Sequence, residues 1–364
     1  MVPRSEWYLL CALGVLKTGA AYVPVDTAYP DERIAYMMSD SSAKAVMVTQ
    51  DTRDRAAALA SVPLLDCTSV PASSFSAVQV SPQDTAVILY TSGTTGMPKA
   101  SQITRLALLN FIEWSASYTR FSRDDVFALY TSFVFDIHTM SLYTPMISGG
   151  SVDIVPEDVR LDIHRLNEHF VFHRVTHTFI TTNLGKMFAS KVGDTTLRCL
   201  VYGGEKLGEF TAPERIGALE TYGPSENLAI STAVPVNERT HSSSVGRLVQ
   251  NVKGYILDAE HRRVPVGAVG ELFLSGYQLS TGYLNNPEKN AAAFFRNPFS
   301  SEKGYERMYA TGDFFRLLPD GTLGVIGRRD GQVKVRGNRV ELTEVEACIR
   351  SMPGIKDVTV QPIV

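Results

Sequence analysis

The chain has 364 residues, 44% apolar and 20% charged, with 35 Lys and Arg against 38 Asp and Glu for a net charge of −3. That composition can bury a core and excludes an intrinsically disordered, collagen-like or disulfide-scaffold chain; at roughly 150 residues per domain it predicts two domains or one two-lobed unit. The near-neutral balance gives no global electrostatic case for nucleic acid or for an anionic membrane surface.

Trp7 to Leu16 reads as a helix stopped at Gly19, and Tyr22 to Val25 as extended chain. At about ten residues, the Trp7–Leu16 stretch is the longest apolar run, too short to cross a bilayer, and it lacks the flanks of a signal peptide, so the cytoplasm is the expected location. Asp31 to Ser39 is a second helix, Ala45 to Val48 a buried strand, and Ser69 to Pro82 a Ser/Pro/Ala-rich loop. Ala86 to Tyr90 is a strand that runs into a Gly/Thr/Ser loop, with a helix from Leu106 to Tyr118 beyond it. Strand, helix, strand, strand follow at Val152–Val155, Val159–Phe172, Thr176–Ile180 and Leu197–Tyr202, which predicts an α/β layer with a mostly parallel sheet. After about residue 245 strand–turn–strand units take over, among them Phe314–Leu318 and Thr322–Ile326 around Pro319-Asp320-Gly321. Thr343 to Glu346 reads as a capping box opening a helix through Ile349, and Val358 and Val360 alternate as a strand. Cys11, Cys67, Cys199 and Cys348 have no CxxC spacing and read as free thiols of a reducing compartment. His169 and His173 stand four apart on a helix without an HExxH pattern, and read as a solvated helical face.

The loop Thr91-Ser92-Gly93-Thr94-Thr95-Gly96-Met97-Pro98-Lys99 concentrates hydroxyls, two glycines and a lysine at a strand exit. Glycines let backbone N–H groups approach an anion, hydroxyls donate to phosphate oxygens, and the lysine neutralises charge. The spacing is not that of a Walker loop: Gly93 and Gly96 are three apart and Lys99 is followed by Ala100.

This loop resembles the phosphate loop of the adenylate-forming superfamily. The resemblance extends over nearly the whole chain through Leu16 to Asp26, Tyr222-Gly223-Pro224-Ser225-Glu226, Gly270-Glu271-Leu272 with Gly282-Tyr283-Leu284, Tyr309 to Asp313, and Gly327 to Gly337. In that order the motifs resemble those of nonribosomal peptide synthetase amino-acid adenylation domains. The resemblance implies a large AMP-binding domain over residues 1–330, made of two α/β subdomains and a β-rich, barrel-like subdomain at about 245–330. The start of a small α+β C-terminal domain would follow at 331–364, with Asp330 as the hinge. It also implies a chain cut short at both ends, without the family's C-terminal catalytic lysine.

Carried over residue by residue, the resemblance implies that Thr91, Ser92, Thr94, Thr95 and Lys99 handle phosphate and that Glu226 is the Mg²⁺ ligand. ATP or AMP would be held by Gly93, Gly96, Gly204, Glu205, Glu220, Tyr222, Gly223, Ser225, Asp313, Arg328 and Lys334. Tyr222 is expected to stack on adenine and Asp313 to hold the ribose hydroxyls. Glu220 stands where the family usually has Asn, and a carboxylate can still accept a hydrogen bond from the adenine amino group. Asp136 is expected to pair with a substrate α-ammonium, although the residue type alone also suits a helix N-cap. The side-chain pocket would be Ile137, Met140, Phe179, Val201, Gly203, Thr221, Ala229 and Ile230, apolar with one hydroxyl, which predicts Val, Leu or Ile as substrate and Phe as runner-up. The partners implied are the phosphopantetheine arm of a peptidyl carrier domain, condensation domains and an MbtH-like helper protein. Rival expectations are an acid-activating domain coupled to a reductase or to CoA, and a non-catalytic nucleotide-binding fragment.

Overall fold

The computed structural model describes residues 1–69, 75, 76, 78–91, 97–329, 333–335, 338–340, 342–350, 352, 354, 355 and 358–361. Helices α1 (Glu6–Lys17) and α2 (Asp31–Asp40) precede a parallel pair, β1 (Val46–Val48) and β2 (Leu64–Asp66). Between these strands runs α3 (Gln50–Leu59), closed at its start by reciprocal bonds between Thr49 and Thr52. Strands β3 (Thr85–Thr91) and β4 (Lys99–Thr104) form an antiparallel hairpin. The sequence reading has no β4; the hydroxyl-rich loop joins two paired strands instead of a strand and a helix, because Lys99 to Thr104 finds its backbone partners along β3. Thr104 then caps α4 (Arg105–Tyr118), its hydroxyl accepting the Ala107 N–H at 3.0 Å.

The next elements build the central layer: β5 (Val126–Leu129), α5 (His138–Ser148), β6 (Ser151–Ile154), α6 (Ile163–Phe172), β7 (His177–Thr181), α7 (Thr182–Lys191), β8 (Cys199–Gly203), β9 (Gly217–Tyr222), β10 (Thr232–Pro235) and β11 (Arg247–Leu248). They pair in the order β11-β10-β9-β8-β7-β5-β6, parallel from β6 to β9 and antiparallel at β10 and β11. Alternate strand residues face opposite layers. Phe127 and Val201 join Phe111 of α4 and Met140 of α5 in one core, while Ala128 and Leu200 join Phe170 of α6 and Phe188 of α7 in the other. Both faces of the sheet are therefore covered, which the parallel arrangement requires. The chain crosses from β6 at the edge back over β5 to β7, so the strand order reverses beside β5. At that reversal the loops leaving the strands part and open a crevice.

Helix α6 begins at Ile163, later than the expected Val159, because the Asp162 side chain accepts the N–H groups of His164 and Arg165 and sets the first turn there.

The β-rich part is an antiparallel sheet of β12 (Val252–Leu257), β13 (Val269–Gly276), β14 (Phe294–Arg296), β15 (Arg307–Leu317) and β16 (Leu323–Arg328), with α8 (Pro287–Ala293) leading into β14. Eleven-residue β15 pairs with β13, β14 and β16, and register shifts at Glu271/Phe273 and Phe314/Phe315 interrupt its ladders. Then come the hairpin β17 (Val333–Val335) and β18 (Asn338–Val340), and α9 (Leu342–Arg350). Because α9 already starts at Leu342, Thr343 stands inside it and not at its cap. Residues 358–361 form no strand; the Val360 N–H donates to the Glu346 carboxylate at 2.9 Å in place of a strand partner. Asp330, the expected hinge, lies outside the described residues. Among the described residues no helix is long and apolar enough to cross a membrane.

At the start of α5, His138 is fully buried in a polar knot. Its Nδ1 lies 2.5 Å from the Phe135 carbonyl, and its Nε2 lies 3.1 Å from the Tyr22 hydroxyl and 3.4 Å from that of Tyr8. Burial pushes the imidazole down to about 4 from its ordinary 6.5, so it stays neutral in the fold. The unfolded chain takes up that proton below pH 6.5. The resulting stabilisation is complete above that pH and is lost as pH falls toward 4, about 3 kcal/mol in all. Urea unfolding at pH 7.5 and 4.5 checks this: His138→Gln is expected to flatten the dependence by about that amount.

Candidate functional site

A cavity of about 1320 Å³ opens where the ends of β5, β7, β8 and β9 meet β15 and β16. Each wall is held from below. Arg4 donates to the carbonyls of Tyr130, Thr131 and Val155 at 2.7–2.8 Å and also to that of Leu129, pinning the chain that leaves β5. Tyr8 stacks on Phe133 with ring centroids 3.7 Å apart. The segment so fixed presents Phe135, Asp136 and Ile137 to the cavity. The Asp136 carboxylate accepts a bond from the Ser225 hydroxyl. Ile137 is the N-cap residue of α5 and no side-chain cap bond forms there, so Asp136 is not the helix cap that its residue type also suits.

Beside Asp136 the lining is Ile137, Phe179, Gly203, Thr221 and Ala229. Gly203 has to be small: a Cβ there would lie 2.9 Å from both the Phe179 ring and Thr221 Oγ1. The Thr221 hydroxyl donates to the Tyr202 carbonyl at 2.7 Å, so the one hydroxyl foreseen in this wall already serves the sheet. Met140, Val201 and Ile230 are fully buried in the core behind this lining and do not reach the cavity. Leu228 and Ala229 both adopt positive φ (44° and 63°), a costly turn that aims Ala229 at the cavity while Leu228 packs inside.

The opposite wall carries the polar groups. The Tyr222 hydroxyl donates to Asp313 Oδ2 at 2.6 Å, and Arg328 donates to Asp313 Oδ1 at 2.9 Å. Burial, and then the neighbouring Asp313 charge, raise the Tyr222 hydroxyl well above its ordinary range, so it remains a donor. A carboxylate has about four acceptor directions, so Asp313 keeps capacity for further donors. Thr91, Gly204, Glu205, Gly223 and Ser225 also line the cavity, and Glu205 accepts from Asn183 at 2.5 Å.

Glu220 lines the cavity too, but its carboxylate serves the fold: Arg239 donates to it at 2.6 Å and the Leu207 N–H at 3.4 Å, with both members of the ion pair only 5% exposed. Burial pushes the Glu220 carboxyl up to about 7 against the pull of Arg239. Arg239 has no motif and is not legible from the sequence.

Glu226 and Lys99 sit deeper, off the cavity lining. Glu226 is fully buried on a one-turn 3-10 helix, Ser225–Asn227. Its Oε1 lies 2.9 Å from Lys99 Nζ and accepts the Tyr283 hydroxyl at 2.6 Å; Lys99 Nζ is also 3.1 Å from that hydroxyl. Burial and then the Glu226 charge raise the Tyr283 hydroxyl far above its ordinary range. Tyr283 belongs to the Gly282-Tyr283-Leu284 motif, yet sequence reasoning assigns it no role. Ser92, Gly93, Thr94, Thr95 and Gly96, and the side chain of Lys334, lie outside the described residues.

Covered on both faces, with its cleft at the strand reversal and a second antiparallel layer over it, this architecture is shared by solved adenylation-domain structures. Holo-PA1221, described as a nonribosomal peptide synthetase protein containing adenylation and PCP domains, superposes with a TM-score of 0.87 at 24% identity, over 98% of this chain and 64% of that one. Holo-AB3403, a four-domain nonribosomal peptide synthetase bound to AMP and glycine, gives 0.77 at 29% identity, over 98% and 27%. The chain belongs to the AMP-binding enzyme family, whose model matches residues 1–284. It is 36% identical over 375 residues to surfactin synthase subunit 3 of Bacillus subtilis (strain 168), covering 98% of this chain and 29% of that protein. With bacitracin synthase 1 of Bacillus licheniformis it shares 35% over 350 residues, covering 95% and 6%. The chain thus spans less than a third of the length of these relatives.

Removing the Tyr283 hydroxyl leaves a buried carboxylate short of one charge-assisted bond. Tyr283→Phe is expected to cost about 1–3 kcal/mol in urea unfolding at pH 7, without changing the secondary-structure spectrum.

Proposed function

We propose that this chain activates an aliphatic amino acid (Val, Leu or Ile) with Mg·ATP. An oxygen of the amino-acid carboxylate attacks the α-phosphorus, the α–β phosphoanhydride bond breaks, and aminoacyl-AMP and pyrophosphate result. The observation that carries this reading is Asp136: a carboxylate at the edge of a wall otherwise made of Ile137, Phe179, Gly203 and Ala229, suited to an ammonium group with an apolar side chain behind it. Likeness to synthetase adenylation domains supports the same reaction class.

Across the cavity, Tyr222 offers an aromatic face to a base, and Asp313 accepts from ribose hydroxyls while Arg328 steadies it. Lys99, at the start of β4, neutralises phosphate charge. Glu226 would hold Mg²⁺ through its carboxylate, which is buried and paired with Lys99 here and meets the metal once Lys99 turns to the phosphates. A bound Mg²⁺ would supply charge neutralisation on the phosphates. In the proposed pathway the product passes, in the cytoplasm, to a phosphopantetheine thiol on a peptidyl carrier domain that works beside condensation domains.

Thermal melting with a panel of non-hydrolysable aminoacyl-sulfamoyl adenosines tests the proposal, since a ligand that binds only the folded state raises its melting point. A rise selective for one aliphatic analogue is expected; no rise with any analogue overturns the reading. Asp136→Ala is expected to weaken that analogue about 10–100-fold while a des-amino analogue binds as before. Equal loss of both would remove Asp136 from the ammonium role. Gly203→Ala is expected to weaken the Leu analogue, because the added methyl, 2.9 Å from the Phe179 ring and from Thr221 Oγ1, pushes the ring out of its place in the wall.

A further inference from the structure

We propose that Asp153, His169 and His173 form a binding site for one zinc-class transition-metal ion, apart from the nucleotide cleft. Asp153 projects from β6, the outer strand of the seven-stranded sheet, and the histidines stand one turn apart at the end of α6. The sequence reading of this pair as a solvated face is corrected: His169 is 12% exposed and bonded to Asp153, and His173 alone is open to solvent at 44%. His169 Nε2 lies 2.8 Å from Asp153 Oδ2, His173 Nδ1 lies 3.5 Å from Asp153 Oδ1, and one ligand atom from each residue falls within 4.8 Å of the others. The two imidazoles overlap, with centroids 4.3 Å apart and planes inclined by 35°, so both converge on one carboxylate. None of the three lines the cleft.

The spacing suits a metal. Zinc holds nitrogen and oxygen ligands at about 2.0–2.2 Å, which for tetrahedral geometry puts neighbouring ligand atoms roughly 3.4 Å apart. Asp153 and His169 need to part by a few tenths of an ångström, and the exposed His173 ring has room to turn inward. Two imidazoles and one carboxylate are donors for Zn²⁺, Co²⁺, Ni²⁺ or Cu²⁺, whereas Mg²⁺ prefers all-oxygen surroundings. Three protein ligands leave a position for water on the solvent side. The C-terminal end of a helix also favours a cation. A bound ion would staple the last turn of α6 to β6, just before the chain enters β7, which carries Phe179.

The test is calorimetric titration of the tag-free chain with ZnCl₂ in excess Mg²⁺, followed by melting curves and the visible spectrum with Co²⁺. One saturable equivalent, a rise in melting point and a Co²⁺ d–d band are expected. His173→Ala and Asp153→Asn are each expected to weaken zinc by at least about tenfold, the loss that removing even a ligand's supporting partner causes. His164→Ala, an exposed histidine at the other end of α6, should bind as the parent does. The proposal falls if the parent shows no saturable zinc binding, if His173→Ala titrates like the parent, or if Mg²⁺ competes zinc away, which would assign the ion to Glu226.

Discussion

The buried carboxylate of Glu226 is the constraint on which the arrangement of this molecule turns. A lone carboxylate at zero exposure is unaffordable unless cations and donors meet it. Here they come from two other parts of the chain: Lys99 from the β3–β4 hairpin and Tyr283 from the segment joining β13 to α8. Glu226 itself belongs to the turn that joins β9 to β10 of the central sheet, and its carbonyl accepts the Ser280 N–H at 2.8 Å. Three substructures distant in sequence are thereby forced into one register. The groups so gathered, a lysine, a carboxylate and the root of a hydroxyl-rich loop, are those a phosphate-handling site needs.

A second set of bonds does the same for the apolar end of the cleft. Arg4 meets four carbonyls, Tyr8 lies flat on Phe133, and neutral His138 ties the Phe135 carbonyl to two tyrosines. Each contact is internal to the fold, and together they fix the backbone that carries Asp136. With its rotamer further restrained by Ser225, the acid is held in place before any ligand arrives, which lowers the ordering cost of binding.

The two ion pairs of the polar wall divide their labour. Asp313, with Arg328 and Tyr222, faces the cavity and keeps acceptor directions open. Glu220 borders the same cavity, but it is neutralised by Arg239, which also donates to the carbonyls of Gly208 and Phe210 and so holds the loop after β8. A substitution that looks from the sequence like a change in base recognition is, in the fold, one half of a structural ion pair.

Much of this was legible in the chain itself. The helix stop at Gly19, the runs that become β6, β7 and β8, the Pro319-Asp320-Gly321 turn and the ordered motifs depend on interactions within a few residues, so composition and spacing suffice to read them. Asp136, Tyr222, Asp313 and Glu226 stood out through their places in the motifs that resemble those of adenylation domains, which local composition alone would not have singled out. What the chain could not reveal depends on long-range geometry. Strand β4 exists because β3 offers an edge, while Val358 and Val360 alternate like a strand and have none. Met140, Val201 and Ile230 are as apolar as the wall residues, and only packing puts them a layer behind it. The roles of Tyr283, Arg239 and Arg4, and the meeting of Asp153 with two histidines of the next helix, arise from residues far apart in sequence or on different elements. The sequence by itself determined the class of fold and the kinds of chemical group at the cleft; the tertiary structure alone decided which groups face it, because burial and charge pairing depend on neighbours that only folding brings near.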